Sequence, residues 1–149
     1  MGTAKPEVKV RRARQADAPR IAAQTGQLGY PTTSKQMASR LKLVLKDKNG
    51  ACFVAETKEH AVIGWVHVSM TPLLEVERRA EINGLVVDER NRNRGAGWIL
   101  LEAAEKWART MKCRGVSVRS NVIRERAHTF YKRHGYDHYK TQKAFRKEL

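Results

Sequence analysis

Between Ala51 and Val87 three β-like runs follow one another with only short polar breaks: ACFVAET, AVIGWVHVSM and RAEINGLVV. Runs this rich in valine, isoleucine and aromatic residues read as strands. The turn around Lys58 to His60 makes the first two a hairpin, so the first half of the chain is antiparallel. Asn83-Gly84 interrupts the third run, and a glycine there marks a bulge or a close approach of another backbone. Upstream, VKVRRAR predicts a strand, and Asp17 opens a helix through about Thr25 with Pro19 in its first turn. GQLGYPTT is a loop. Ser34 is the expected cap of a second helix, with Met37, Leu41, Val44 and Leu45 on one face. Downstream, the pattern from Gly97 to about Met111 is helical, with Leu100, Leu101, Ala104, Trp107, Ala108 and Met111 on one side. GVSVRS is a strand, Arg124 to His134 a helix stopped by Gly135, and Tyr136 to Leu149 alternates enough for one or two more strands. The order is β-α-α-β-β-β-α-β-α-β-β: an α+β fold whose central mixed, mostly antiparallel twisted sheet is flanked by about four helices.

With 149 residues and no repeat or linker, residues 1–149 read as a single domain large enough to bury a core. No run approaches the roughly 18 apolar residues of a membrane span. MGTAKPEVKV lacks the apolar region of a signal peptide and puts Pro6 where a myristoylation site wants Ser or Thr, so the expected address is cytoplasmic. Cys52 and Cys113 are isolated, the histidines show no ligand spacing, and no metal is expected. The net charge of +15 points to an anionic partner: nucleic acid, an acidic protein or a phosphate-bearing cofactor.

RNRNRGAG, from Arg90 to Gly97, sits between a strand and a helix start. Such a turn leaves backbone N–H groups pointing outward at the positive end of the helix dipole, a ready phosphate site, with Arg92 and Arg94 adding charge at its rim. The same residues also suit a basic loop that merely precedes an amphipathic helix. A P-loop needs GxxxxGK[ST], which is absent, and a dinucleotide fingerprint fails because Leu100 stands where its third glycine belongs.

Arg92-Asn93-Arg94-Gly95-Ala96-Gly97 resembles the (Gln/Arg)-x-x-Gly-x-(Gly/Ala) signature of the GNAT family of N-acetyltransferases. Ala127-His128-Thr129-Phe130-Tyr131 followed by Gly135-Tyr136 is similar to that family's A-x-x-F-Y-x-x-x-G-(F/Y) segment, and the element order matches its fold over nearly the whole chain. One position departs: where many members carry Asn three residues before the alanine, this chain has Arg124, with Asn121 nearby. Either could contact the cofactor.

The resemblance implies transfer of an acetyl group from acetyl-CoA to a primary amine of a small molecule or protein. It implies that the amides of Arg92, Asn93, Arg94, Gly95, Ala96 and Gly97 hold the pyrophosphate. The pantetheine arm would pair with the exposed strand edge at Leu85, Val86 and Val87, and Asn121, Ala127 and Tyr131 would complete the cofactor site. Glu81 is the implied general base, with Glu75 and Glu77 as alternatives acting through water, and Tyr131 the acid for the departing sulfur. The acceptor pocket falls to the first two helices and their loop, with Tyr30 and Trp65 as its candidates and Gly29, Pro31 and His67 as neighbours. Small members are often homodimers. Two other readings stand beside this one. The first is a basic nucleic-acid-binding module, for which no helix-turn-helix, zinc or RNA-binding signature is present. The second is a CoA-binding protein of this fold without catalysis.

Overall fold

A computed structural model describes residues 8–92 and 94–149. The chain divides into two compact units, Met1–Val118 and Arg119–Leu149. The first contains strand β1 (Val8–Arg12), helices α1 (Ala18–Gln27) and α2 (Ser34–Lys46), strands β2 (Gly50–Thr57), β3 (Val62–Met70) and β4 (Ala80–Val87), helix α3 (Ala96–Thr110) and strand β5 (Val116–Val118). The second contains helix α4 (Glu125–Arg133). Short 3₁₀ turns cover Gln15–Asp17 and Glu89–Asn91.

The sheet order is β1-β2-β3-β4-β5, antiparallel except for the β4–β5 pair. The brief connections from β2 to β4 permit only antiparallel neighbours, whereas α3 supplies the crossover that makes β5 parallel to β4. Helical layers cover both faces, because adjacent strand residues point opposite ways. A Cβ on Gly64 would lie 3.1 Å from Leu100 of α3. Its neighbour Trp65 packs into the cluster that holds Ile21, Ala22, Met37, Leu41, Cys52 and Val54 under α1 and α2.

Three expectations change in detail. The cap of α2 is Thr33 rather than Ser34: Thr33 Oγ1 accepts the Gln36 N–H and Gln36 Oε1 accepts the Thr33 N–H, both at 3.0 Å. Gln36 stands three residues after Thr33, whereas Met37 in the same place after Ser34 has no acceptor to return. Leu45, expected on the apolar face, is exposed at its edge. No strand forms in residues 136–149, where every residue from Asp137 onward is exposed and charged side chains recur on both alternating faces. Alternation alone does not make a strand; a ladder partner does. The Asn83-Gly84 interruption, in contrast, is a bulge: Val68 pairs with Ile82 and His67 with Gly84, so Asn83 has no partner on β3.

Asp17 fixes the entry to α1. Its carboxylate accepts two bonds from Arg11 (2.9 Å each) and one from the Arg14 N–H (2.7 Å). Burial pushes its pKa up, but these bonds outweigh burial and hold it below the ordinary carboxylate value. The stabilisation is therefore present above the unfolded carboxyl's pKa and is lost as pH falls through the folded one. Asp17→Asn is expected to cost about 3 kcal/mol at neutral pH. Urea titrations should show the gap between variant and parent closing below pH ~4; a gap independent of pH would mean that the ion pair is not its source.

Candidate active site

Strand β4 and the turn after it carry most of the site. At Val87 the chain leaves the sheet, and Asp88 caps the 3₁₀ turn by accepting the Arg90 N–H at 3.0 Å. Its own N–H donates to Ile63 O at 2.8 Å. Helix α1 pins this turn from the side: Arg20 Nη2 donates to Asp88 Oδ2 at 3.0 Å, and Gln27 Oε1 accepts the Glu89 N–H at 3.1 Å. Burial raises the Asp88 pKa, yet the Arg90 amide and the Arg20 guanidinium more than offset it and the carboxyl sits below its ordinary value. Sequence reasoning missed Asp88, Arg20 and Gln27. Asp88 offered one signal, an Asp directly after a strand and two residues before a basic one, which is a capping pattern.

Beyond the turn, Arg92 and Arg94 are exposed, and Asn93 lies outside the described residues. Gly95 is the N-cap of α3 in the left-handed conformation (φ +77°) and gives the helix no side-chain cap. A Cβ there would meet nothing within 4 Å, so the conformation rather than space asks for glycine. Ile99 N–H donates to Gly95 O at 3.1 Å, which leaves the amides of Ala96 and Gly97 in the first turn, where a helix has no carbonyl to offer them. A helix of 15 residues thus presents an N-terminus with no side-chain cap among the described residues, beside two exposed guanidinium groups. A diphosphate fits these donors in charge and hydrogen-bonding sense.

The edge of β4 precedes this turn in the chain. Strand β5 pairs only with Ala80, Ile82 and, between them, Glu81. From Asn83 to Val87 that edge has no ladder partner among the described residues, while on the other side Leu85, Val86 and Val87 pair with Val66, Trp65 and Gly64. An exposed strand edge of this kind accepts an extended, amide-bearing chain.

Glu81 lies in register with Ser69 on β3 and Ser117 on β5 and is half-buried. On the same face Asn83 Nδ2 donates to Ser69 Oγ at 2.7 Å, and His67 stands across from Gly84. Burial lowers the His67 pKa, with Asp47 partly opposing it. The Trp65 ring covers Gly84 so closely that a Cβ would come within 2.6 Å of it, and the indole Nε1 is buried with no acceptor among the described residues. Tyr30 is 65% exposed in the loop between α1 and α2, its N–H donating to Thr25 O at 3.3 Å. Glu81, Leu85, Val86 and Val87 thus lie on β4, the turn that carries Arg92 and Arg94 follows that strand, and Trp65 is on the adjoining strand. Ser69 and Asn83 join this group without having been expected there.

In the second unit, Asn121 precedes α4, where its side-chain oxygen accepts the Ile123 N–H (3.1 Å) and its carbonyl accepts from the Arg124 N–H (2.9 Å). Arg124 is the N-cap residue, and Ala127 is half-buried in the first turns of the helix. Tyr131 makes edge-to-face contacts with Phe130 and Tyr136, centroids 5.3 and 5.7 Å apart. Burial pushes its phenol up to about 12.

Residues 13–136 match the Acetyltransferase (GNAT) family. Among curated proteins nothing matches. Solved structures share the fold. An aminoglycoside N-acetyltransferase in complex with CoA is 15% identical, with all of both chains covered and a TM-score of 0.86. An aminoglycoside 6'-N-acetyltransferase from Acinetobacter baumannii is 14% identical over 96% of this chain and 99% of the other, with a TM-score of 0.84. A transcriptional regulator from Bacillus halodurans C-125 is 24% identical over 93% and 100%, with a TM-score of 0.80.

Proposed function

The chain belongs to the GNAT family of acetyltransferases, and from that premise we propose that it moves the acetyl group of acetyl-CoA to a primary amine by direct attack. One observation carries the reading: a β4 edge without a ladder partner leads, through the 3₁₀ turn, to a helix N-terminus that has no side-chain cap, both among the described residues. Acetyl-CoA supplies the thioester. The amides from Arg92 to Gly97 hold its pyrophosphate, with Arg92 and Arg94 at the rim, and Leu85, Val86 and Val87 pair with the pantetheine amides. Ala127, with Asn121 or Arg124, is the further cofactor contact that the family resemblance assigns.

A lysine-like amine with a pKa near 10.4 is almost wholly protonated at pH 7, and freeing it costs about 4.6 kcal/mol. Glu81 takes that proton. The C–N bond then forms as the C–S bond breaks, and Tyr131 protonates the leaving thiolate. Burial raises the Tyr131 phenol to about 12, so it stays protonated in the neutral range and can donate a hydrogen bond to the sulfur. It is a weaker acid than the thiol of pKa ~8.5 and adds less than the base does. Trp65 and Tyr30 border the acceptor. Residues 1–149 act as one N-acetyltransferase domain, cytoplasmic and homodimeric.

Thiol release from acetyl-CoA with a panel of amines tests the reaction, and thermal unfolding tests binding. Saturating CoA, about 100-fold over its Kd, should stabilise the protein by ~2.7 kcal/mol, whereas oligonucleotides at matched salt should not. Stabilisation by CoA without thiol release for any amine would leave a binding protein, not an enzyme.

A further inference from the structure

The helical layer over the candidate face of the sheet is cationic. Trp65, His67, Ser69 and Glu81 share the face that α1 and α2 cover, since Trp65 packs into the cluster under those helices and strand pairing places the others with it. From Ala18 to Lys46, through both helices and the loop between them, there is no Asp or Glu, against five bases: Arg20, Lys35, Arg40, Lys42 and Lys46. Arg20 is committed to Asp88. The other four are exposed, and none forms an ion pair among the described residues. Arg40 reaches back over the interhelical loop, its Nη1 3.4 Å from Thr32 Oγ1, two residues from Tyr30. Carboxylates on or beside this face include Glu81 itself, Asp47, whose Oδ1 accepts the Asn49 N–H, and Asp88, held by Arg20. Glu75 and Glu77 lie in the connection that leads into β4, with Glu77 paired to Arg114 at 3.3 Å. Behind these stands the net charge of the whole chain, +15.

We infer that the acceptor is a primary amine carried by a molecule that also bears phosphate or carboxylate. The inference rests on the acetyltransferase reading and runs against the solved aminoglycoside enzymes of the same fold. An aminoglycoside carries several protonated amines, and a field of this sign repels a polycation while drawing in an anion. Such fields change association rates by about 10–10³-fold and weaken as salt rises. A carboxylate or phosphate on the acceptor would meet Arg40 at the rim and leave the amine, the one cationic group, for Glu81.

Matched acceptors test this: O-phosphoethanolamine against ethanolamine, 4-aminobutyrate against butylamine, and neamine as the polycation, compared by kcat/KM after correction for each amine's pKa. At low salt the anionic member of each pair should lead by about tenfold or more. Its lead should shrink as the screening length falls from ~30 Å at 0.01 M to ~10 Å at 0.1 M. Neamine should be slowest and gain with salt. Arg40→Glu should remove most of the preference and Arg40→Lys restore it, which a loss of folding would not do. Equal rates within the pairs, or neamine leading at low salt, would overturn the inference and leave the transferase reading standing. Absence of thiol release with every amine would overturn that reading itself.

Discussion

Gly95→Glu should weaken acetyl-CoA binding by about 100-fold, measured by calorimetry. The residue is the N-cap of α3 at φ +77° with open space around its Cβ position, so a side chain fits sterically at the start of the helix. Glutamate there sets a full negative charge beside the Ala96 and Gly97 amides, against the same donors the diphosphate would use. Two effects are mixed in that variant, because a non-glycine residue in the left-handed region also costs ~1–2 kcal/mol. Gly95→Asn separates them: asparagine tolerates the conformation and adds no charge, so its affinity should stay within a few-fold of the parent. If Gly95→Glu bound acetyl-CoA within threefold of the parent, the pyrophosphate would have to lie elsewhere.

Glu81→Gln should lower kcat by about 10²-fold at pH 7, the lower end of what a placed base contributes. The amide keeps the shape of the carboxylate between Ser69 and Ser117 and removes only the capacity to take a proton. The deficit should narrow as pH rises toward the amine's own pKa, because the free amine then needs no base. Tyr131→Phe should cost less, about tenfold, since a thiol of pKa ~8.5 departs tolerably as thiolate. Parent-like rates for Glu81→Gln across pH 6 to 9 would remove it from the mechanism and pass the role to a water relay from Glu75 or Glu77.

What the sequence revealed follows from the range of the forces involved. Hydrophobic period and turn residues are local, so VIGWVHVSM, the α3 stripe from Leu100 to Ala108 and the Gly135 stop were legible without a partner in view. The Asn83-Gly84 bulge was readable because a glycine within a β-branched run has few other uses. The tail was misread for the complementary reason: whether Tyr136–Leu149 becomes a strand depends on a ladder partner that no local pattern specifies.

The candidate site divides along the same line. Sequence alone determined the family, through the spacing of Arg92, Gly95 and Gly97 and the AHTFY segment, and with it the chemistry to expect. Only tertiary structure decided that the turn at Asp88 and Glu89 is held by Arg20 and Gln27 from a helix more than sixty residues away in sequence. It also decided that Asn83 turns its side chain onto Ser69, and that β5 stops at Val118 opposite Ile82, leaving the rest of the β4 edge without a ladder partner among the described residues. Each of these is a pairing between distant residues, and its energy exists only once the chain has closed the loop between them.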